Sequence, residues 1–136
     1  MPAMAALSVL KADNVTAQTY DVISGSPGDG GWAMWRRDTG ANAAQPVGHR
    51  PTFRAQSLYN GPKTARRVKT VYVAPYSTLN TSTGRYETKD SIRIEVTATY
   101  PESIPAADLA EAAHQGLNCN AALLLRQSHA AGVVPT

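Results

Sequence analysis

Cysteine is nearly absent from this sequence of 136 residues, in which Cys119 is the only one. A disulfide within the chain and a zinc site made of cysteines are therefore excluded. We expect Cys119 to be a small buried residue, and a bridge between two chains stays open as the alternative. The histidines show no metal-ligand spacing, so we expect neither a metal nor another cofactor; they are His49, His114 and His129.

Long apolar runs are absent as well. Ala121–Leu125 is as long as any of them, whereas a membrane-spanning helix needs roughly 20 apolar residues. The apolar segment Met1–Leu10 is followed by Lys11 and has no basic residue before it, which is the wrong polarity for a secretory signal. We therefore interpret it as part of the folded structure, and we expect no membrane partner.

The sequence also lacks recognisable catalytic motifs. The sequence contains no Gly-x-Ser-x-Gly, no His-Glu-x-x-His and no glycine-rich loop ending in Gly-Lys-Ser/Thr. Cys119 follows His114 across a predicted helix break, which disfavours a nucleophile and base pair. We expect no catalytic residues and no enzyme. An enzyme subunit with a diffuse site would have to be built from residues that give no local signal.

Aromatic residues make up only 7% of the chain, while hydrophobic residues reach 43%. Ala, Val, Leu and Ile must therefore supply most of the core, and the length suits a single domain, residues 1–136. The net charge is +3, yet Arg50–Arg93 holds nine basic and two acidic residues, a local net charge of +7. A polyanionic partner and a solubilising surface are both compatible with such a segment.

The clearest periodic signal is the alternation in Ser91–Tyr100. Its apolar side chains (Ile92, Ile94, Val96, Ala98) and its polar ones (Arg93, Glu95, Thr97, Thr99) fall on opposite sides of an extended chain. A strand with one covered face in an antiparallel sheet has this pattern. Two helices follow it, from about Ser103 to Gly116 and from about Asn118 to Ala130. We expect them to cover the apolar face.

The remaining strands are predicted from alternation and turn residues. Leu7–Lys11 and Val15–Ile23 form a hairpin, Gly25–Gly31 is a loop, and Trp32–Arg37 is a third strand in which either tryptophan can be the buried one. After the connection Thr39–Pro51, the strands Thr52–Tyr59 and Arg66–Val73 form a hairpin around Asn60–Gly61. We expect Arg67 and Lys69 to share the polar face with Arg54, because buried unpaired charges are costly. Pro75–Lys89 is predicted to be a long polar loop.

The central segment Gln45–Val73, QPVGHRPTFRAQSLYNGPKTARRVKTVYV, resembles the corresponding strands and Asn-Gly hairpin of the coat proteins of single-stranded RNA bacteriophages. The similarity continues weakly through IEVTATYPES and AAHQGLN. The order of elements is similar over nearly the whole chain. It consists of a hairpin, further antiparallel strands, a long loop, a last strand and two C-terminal helices.

This resemblance implies an α+β fold in which an antiparallel sheet, with an N-terminal β-hairpin and two C-terminal α-helices, forms an intertwined homodimer. It implies that dimers assemble into an icosahedral capsid around single-stranded genomic RNA. The protein would be found in the virion and, during assembly, in the cytoplasm of the bacterial host. The loop Pro75–Lys89 would contact neighbouring dimers. The implied RNA-binding residues on the inner, polar sheet face are Thr52, Arg54, Gln56, Arg67, Lys69, Ser91, Arg93 and Glu95.

In some members of the family the same face also binds an RNA hairpin and represses translation. A small dimeric cellular RNA-binding module that forms no shells is the alternative function.

Overall fold

The computed structural model describes residues 2–40 and 43–136, which form two compact units, Met1–Thr99 and Tyr100–Thr136. The first unit contains a six-stranded antiparallel sheet in which the strands follow chain order. They are β1 (Leu7–Leu10), β2 (Ala17–Ser24), β3 (Trp32–Arg36), β4 (Thr52–Tyr59), β5 (Ala65–Asn80) and β6 (Arg85–Pro101). The second unit contains the helices α1 (Ala106–Ala121) and α2 (Leu123–Ala131). The predicted α+β class and order of elements are confirmed.

The first hairpin owes its turn to Asp13. Its carboxylate accepts hydrogen bonds from the backbone N–H groups of Val15 and Thr16, at 2.9 and 2.8 Å, and from the Thr16 hydroxyl. These bonds lower the pKa of Asp13 to about 2. Asn14 has a φ of 60°, a left-handed conformation that asparagine tolerates. The predicted β1–β2 hairpin is confirmed, with Leu7 opposite Tyr20.

The turn between β4 and β5 is organised by Asn60. Its side-chain oxygen accepts hydrogen bonds from the backbone N–H groups of Thr64 and Ala65, at 2.8 and 3.1 Å. Lys63 takes the left-handed conformation, with a φ of 58°. The β4 bounds agree with the prediction, and Asn60–Gly61 does begin a hairpin.

The predicted loop Pro75–Lys89 is wrong. β5 and β6 continue through most of it, and only the turn between Asn80 and Arg85 separates them. Gly84 closes the turn with a φ of 67°, and the side-chain amide of Asn80 donates to Glu87 at 3.1 Å. The segment is polar because most of its side chains are exposed in an extended hairpin, so it lacks the one-sided alternation by which a half-buried strand is recognised.

Very few side chains are buried in the single chain. Among the described hydrophobic residues, the most buried are Tyr20 and Val71, at 7% and 1% exposure. The Tyr20 hydroxyl lies 3.1 Å from that of Tyr72, and burial, followed by this hydrogen bond, raises the pKa of Tyr20. Ile92 is 62% exposed in the single chain and no residue of β6 is buried, so the cover over the apolar face of β6 stays a prediction.

The helices differ in their bounds from the prediction. α1 continues through Gly116, the predicted end, and reaches Ala121, while α2 begins at Leu123 and ends at Ala131, with Gly132 as its left-handed C-cap. The N-terminal cap position of α1 is Pro105 rather than Ser103. Cys119 is exposed, so the prediction of a buried cysteine is also wrong. Neither helix buries a residue, because neither has a covering partner within its own small unit.

Candidate nucleic-acid interface

The registers of β3, β4 and β5 define one polar side of the sheet. Trp32 lies opposite Gln56, and Gln56 lies opposite Lys69. In the neighbouring rows, Arg54 lies between Met34 and Val71, and Thr52 lies between Arg36 and Val73. Directly opposed residues project to the same side of a sheet. We call this side the basic face; it carries Trp32, Met34, Arg36, Thr52, Arg54, Gln56, Arg67, Lys69, Val71 and Val73.

Ion pairs extend the basic face onto β6. The Lys69 ammonium lies 3.2 Å from a carboxylate oxygen of Glu95, and the Arg93 guanidinium donates to the same carboxylate at 2.6 Å. Ser91, Arg93 and Glu95 share one side of their strand by alternation. All of the predicted interface residues therefore lie on one face, as strand alternation predicted. Their contact with RNA stays a prediction.

Glu95 pairs with two basic residues from the set of implied RNA-binding residues, Lys69 and Arg93. The hydrogen bond from Arg93, followed by that from Lys69, lowers the pKa of Glu95. The carboxylate is consequently ionised at neutral pH and competes with any phosphate for both side chains. Arg67, by contrast, is exposed, and Arg54 lies against an aromatic ring. The basic face thus contains an exposed cation, Arg67, and two cations, Lys69 and Arg93, that are paired with Glu95.

Not all of the positive charge of Arg50–Arg93 reaches the basic face. Arg50 donates to Asp38 at 2.8 Å and to the backbone oxygens of Gln45 and Ala43, which fixes the connection before β4. Arg36 pairs with the same Asp38 at 2.6 Å. The two arginines, Arg36 first, lower the pKa of Asp38. Arg50 is therefore a structural residue of the connection.

Arg66 belongs to the opposite side of the sheet. It lies opposite Tyr59, its guanidinium carbon is 4.6 Å from the centroid of the Tyr59 ring, and it approaches Asp29 at 3.6 Å. We call this side the apolar face; it carries Tyr20, Val22, Ala33, Trp35, Phe53, Ala55, Tyr72 and the Tyr59–Arg66 pair.

Sequence reasoning missed Trp32 as a member of the basic face. The guanidinium carbon of Arg54 lies 5.0 Å from the centroid of its indole ring. Alternation separates Trp32 from Trp35 but does not say which side faces the core. Only the register with β4 resolves this. Trp35 lies on the apolar face, where it packs on Phe53 at 5.6 Å and donates to the Ala5 carbonyl at 2.8 Å.

A second polar cluster lies beside the β5–β6 hairpin. Nδ1 of His49 is 2.8 Å from both the Ser77 and the Thr88 hydroxyl, which are 2.9 Å from each other. The His49 ring also lies 6.2 Å from that of Tyr86. The short 3₁₀ helix Val47–His49 presents this histidine. It therefore ties the connection before β4 to both strands of the hairpin.

Within residues 2–40 and 43–136, no group of three or more histidine, cysteine or acidic side chains is arranged to hold a metal ion. In the same ranges, no helix is both long enough and apolar enough to cross a membrane.

The structure combines an antiparallel sheet, one side of which is polar and rich in cations, with two helices that follow it in the chain. This is the fold of the coat proteins of RNA bacteriophages. No family model matches the sequence, and no curated protein matches it. The likeness is therefore carried by structure.

Several solved structures share this fold. A virus-like particle of Beihai levi-like virus 21 has a TM-score of 0.78 at 11% identity, over 99% of this chain and 99% of that one. The coat protein of bacteriophage EMS014 has a TM-score of 0.72 at 16% identity, over 99% of this chain and 100% of that one. A virus-like particle of bacteriophage AC has a TM-score of 0.69 at 19% identity, over 86% and 97% of the two chains.

Proposed function

We propose that this protein is a capsid protein that dimerises, assembles into a closed icosahedral shell and packages single-stranded RNA. The observation that carries the proposal is the full-length likeness to chains described as coat proteins and virus-like particles. In this proposal residues 1–136 act as one coat-protein domain. Its location is the virion and, during assembly, the cytoplasm of the bacterial host.

Self-association is supported by the uncovered apolar surface of both units. Ile92 and Ile94 on the sheet, and Leu117 and Leu124 on the helices, are each more than 40% exposed. Apolar side chains of this kind are covered where an obligate homodimer forms, because such an interface buries roughly 2,000–5,000 Å² or more. We therefore propose an intertwined dimer as the unit of assembly.

RNA contact is assigned to the basic face. Arg54, Lys69 and Arg93 come from the neighbouring strands β4, β5 and β6, so their charges are spread over half of the sheet. Thr52, Gln56 and Ser91 lie among them and carry hydrogen-bonding groups suited to sugars and bases. Binding of this kind is mostly electrostatic. We also propose that the same residues bind a particular RNA hairpin and so repress translation.

Alanine substitution tests the assignment of this face. Replacing Arg54, Lys69 or Arg93 should weaken RNA binding and flatten the dependence of log K on log salt by about one unit or less, since each phosphate contact releases roughly one counterion. Arg54 should matter most, because Glu95 pairs with the other two. Binding by all three variants that equals wild type would contradict the assignment.

Electron microscopy of the purified protein tests the function itself. The proposal expects closed shells of uniform diameter that contain nuclease-protected RNA. The alternative, a small cellular RNA-binding module, would bind RNA through the same face but would stay dimeric under every assembly condition. Protein that binds RNA and never forms shells would therefore contradict the capsid function and support the module.

A further inference from the structure

Trp32 is a large aromatic residue on the basic face, the charged side of the sheet. The structure gives the opposite side its own tryptophan, Trp35, which packs on Phe53 and is anchored by a hydrogen bond. Trp32 is only partly buried, and its described ring contact is the Arg54 guanidinium at 5.0 Å. An indole beside an arginine is a surface on which a planar ring can stack.

The neighbours of Trp32 supply the other groups that a nucleotide requires. In its row across the sheet, Trp32 is followed by Gln56 and then by Lys69. Adjacent strands lie about 4.8 Å apart, so stacking, hydrogen-bonding and cationic groups succeed one another over roughly 10 Å. Arg54 adds a second cation in the next row.

The loop before β3 holds Trp32 in place. The Gly30 N–H donates to the Ser57 carbonyl at 2.8 Å, and the Gln56 side-chain amide donates to the Gly30 carbonyl. The Ser26 hydroxyl donates to the Gly31 carbonyl at 3.0 Å. Gly30 has a φ of 80°, which a residue with a side chain would adopt with strain. A preorganised ring loses little conformational freedom when a ligand stacks on it.

We propose that Trp32 and Arg54 form a stacking site for an unpaired nucleobase of single-stranded RNA. This inference rests on the proposed contact between RNA and the basic face, and adds to it a contact that is independent of phosphate. Stacking tolerates any base, because every base has a π-face. The site therefore suits a protein that holds single-stranded RNA of many sequences against its sheet.

The test compares two probes of equal length, a single-stranded oligoribonucleotide and its abasic ribose-phosphate counterpart, at fixed salt and at protein concentrations too low for shell assembly. Trp32→Leu should bind the base-containing probe roughly 5- to 150-fold more weakly, as expected for the loss of one stacked base. Its affinity for the abasic probe should stay near wild type. Trp32→Phe, which keeps a ring, should retain most of the base-dependent affinity.

Tyr59→Leu is the matched control, because it removes the aromatic partner of Arg66 on the apolar face. It should leave the affinity for both probes unchanged. Equal losses on both probes, or no loss, for Trp32→Leu would overturn the stacking site while leaving RNA contact intact. Wild-type protein that binds neither probe would contradict the RNA contact and the stacking site together.

Fluorescence provides a readout that keeps Trp32 in place, in case its substitution impairs folding. The chain has two tryptophans, so Trp35→Phe leaves Trp32 as the sole indole and Trp32→Phe leaves Trp35. The base-containing probe should quench Trp32 strongly and Trp35 hardly at all, and the abasic probe should quench neither. Equal quenching of both indoles, or none of Trp32 while the probe binds, would overturn the proposal.

Discussion

Removing the charge of Glu95 should strengthen RNA binding. This carboxylate lies 3.2 Å from the Lys69 ammonium and accepts a hydrogen bond of 2.6 Å from Arg93. A phosphate that contacts either cation must displace it. Glu95→Gln keeps the size of the side chain and abolishes its charge. We expect affinity to rise roughly threefold to tenfold near 0.1 M salt, because exposed ion pairs are individually weak.

The salt dependence of binding gives a more precise expectation than the affinity itself. Each cation released to a phosphate of single-stranded RNA should steepen the plot of log K against log salt by about 0.7. Glu95 competes for both cations without removing either from RNA contact altogether, so Glu95→Gln should be steeper than wild type by less than about 1.4, the value for two fully released cations. Glu87→Gln is the matched control: it removes the same charge from the same strand, but from a residue that accepts a hydrogen bond from the side-chain amide of Asn80. It should change the slope much less.

The pH dependence supplies an internal check on the same variant. Arg93 and Lys69 lower the pKa of Glu95 below its ordinary value of 4.5. The difference between wild type and Glu95→Gln is therefore fully present above pH 4.5 and disappears as the pH falls through the lowered pKa. Titration calorimetry or filter binding across salt and pH measures these effects. Unchanged or weaker binding by Glu95→Gln, with an unchanged slope, would refute the reasoning.

Three further outcomes are expected. Asp13→Ala should destabilise the first hairpin in urea unfolding, and because the folded pKa of about 2 lies below the ordinary 3.8, the deficit should be full above pH 3.8 and vanish toward pH 2. His49→Ala should speed amide hydrogen exchange at Ser77 and Thr88, whereas equal protection would mean that the histidine does not anchor the hairpin. Shortening the β5–β6 hairpin by two residues per strand around its turn should leave folded protein that assembles poorly; unfolding would show that the hairpin stabilises the fold rather than contacts between dimers.

The parts of the fold that depend on local signals were predictable from the sequence. Thr52–Tyr59 alternates polar and apolar side chains and ends at Asn60–Gly61, so both its bounds and its polar face followed from the chain alone. The grouping of Arg54 with Lys69 followed from the cost of burying an unpaired charge, and the register of β4 with β5 agrees with it. Alternation and turn chemistry act over a few residues, which is why they can be read without a structure.

The predictions that failed concern features that depend on contacts between residues distant in sequence or on competing local preferences. The ends of β5 and β6 pair with each other while exposing most of their side chains, so their composition is typical of a loop. α1 continues through Gly116 although glycine costs about 1 kcal/mol in a helix interior. The pairing of Glu95 with Lys69 and the side on which Trp32 lies depend on strand register and side-chain placement. Periodicity within one strand does not specify these.

A cryo-electron microscopy reconstruction of the assembled particle tests the central claim most directly. The account predicts a closed shell in which the basic face lines the interior, with RNA density against Arg54, Lys69 and Trp32. It also predicts that α1 and α2 of one chain cover apolar surface of its dimer partner. A shell with the basic face turned outward, or with RNA density that avoids this face, would contradict the account.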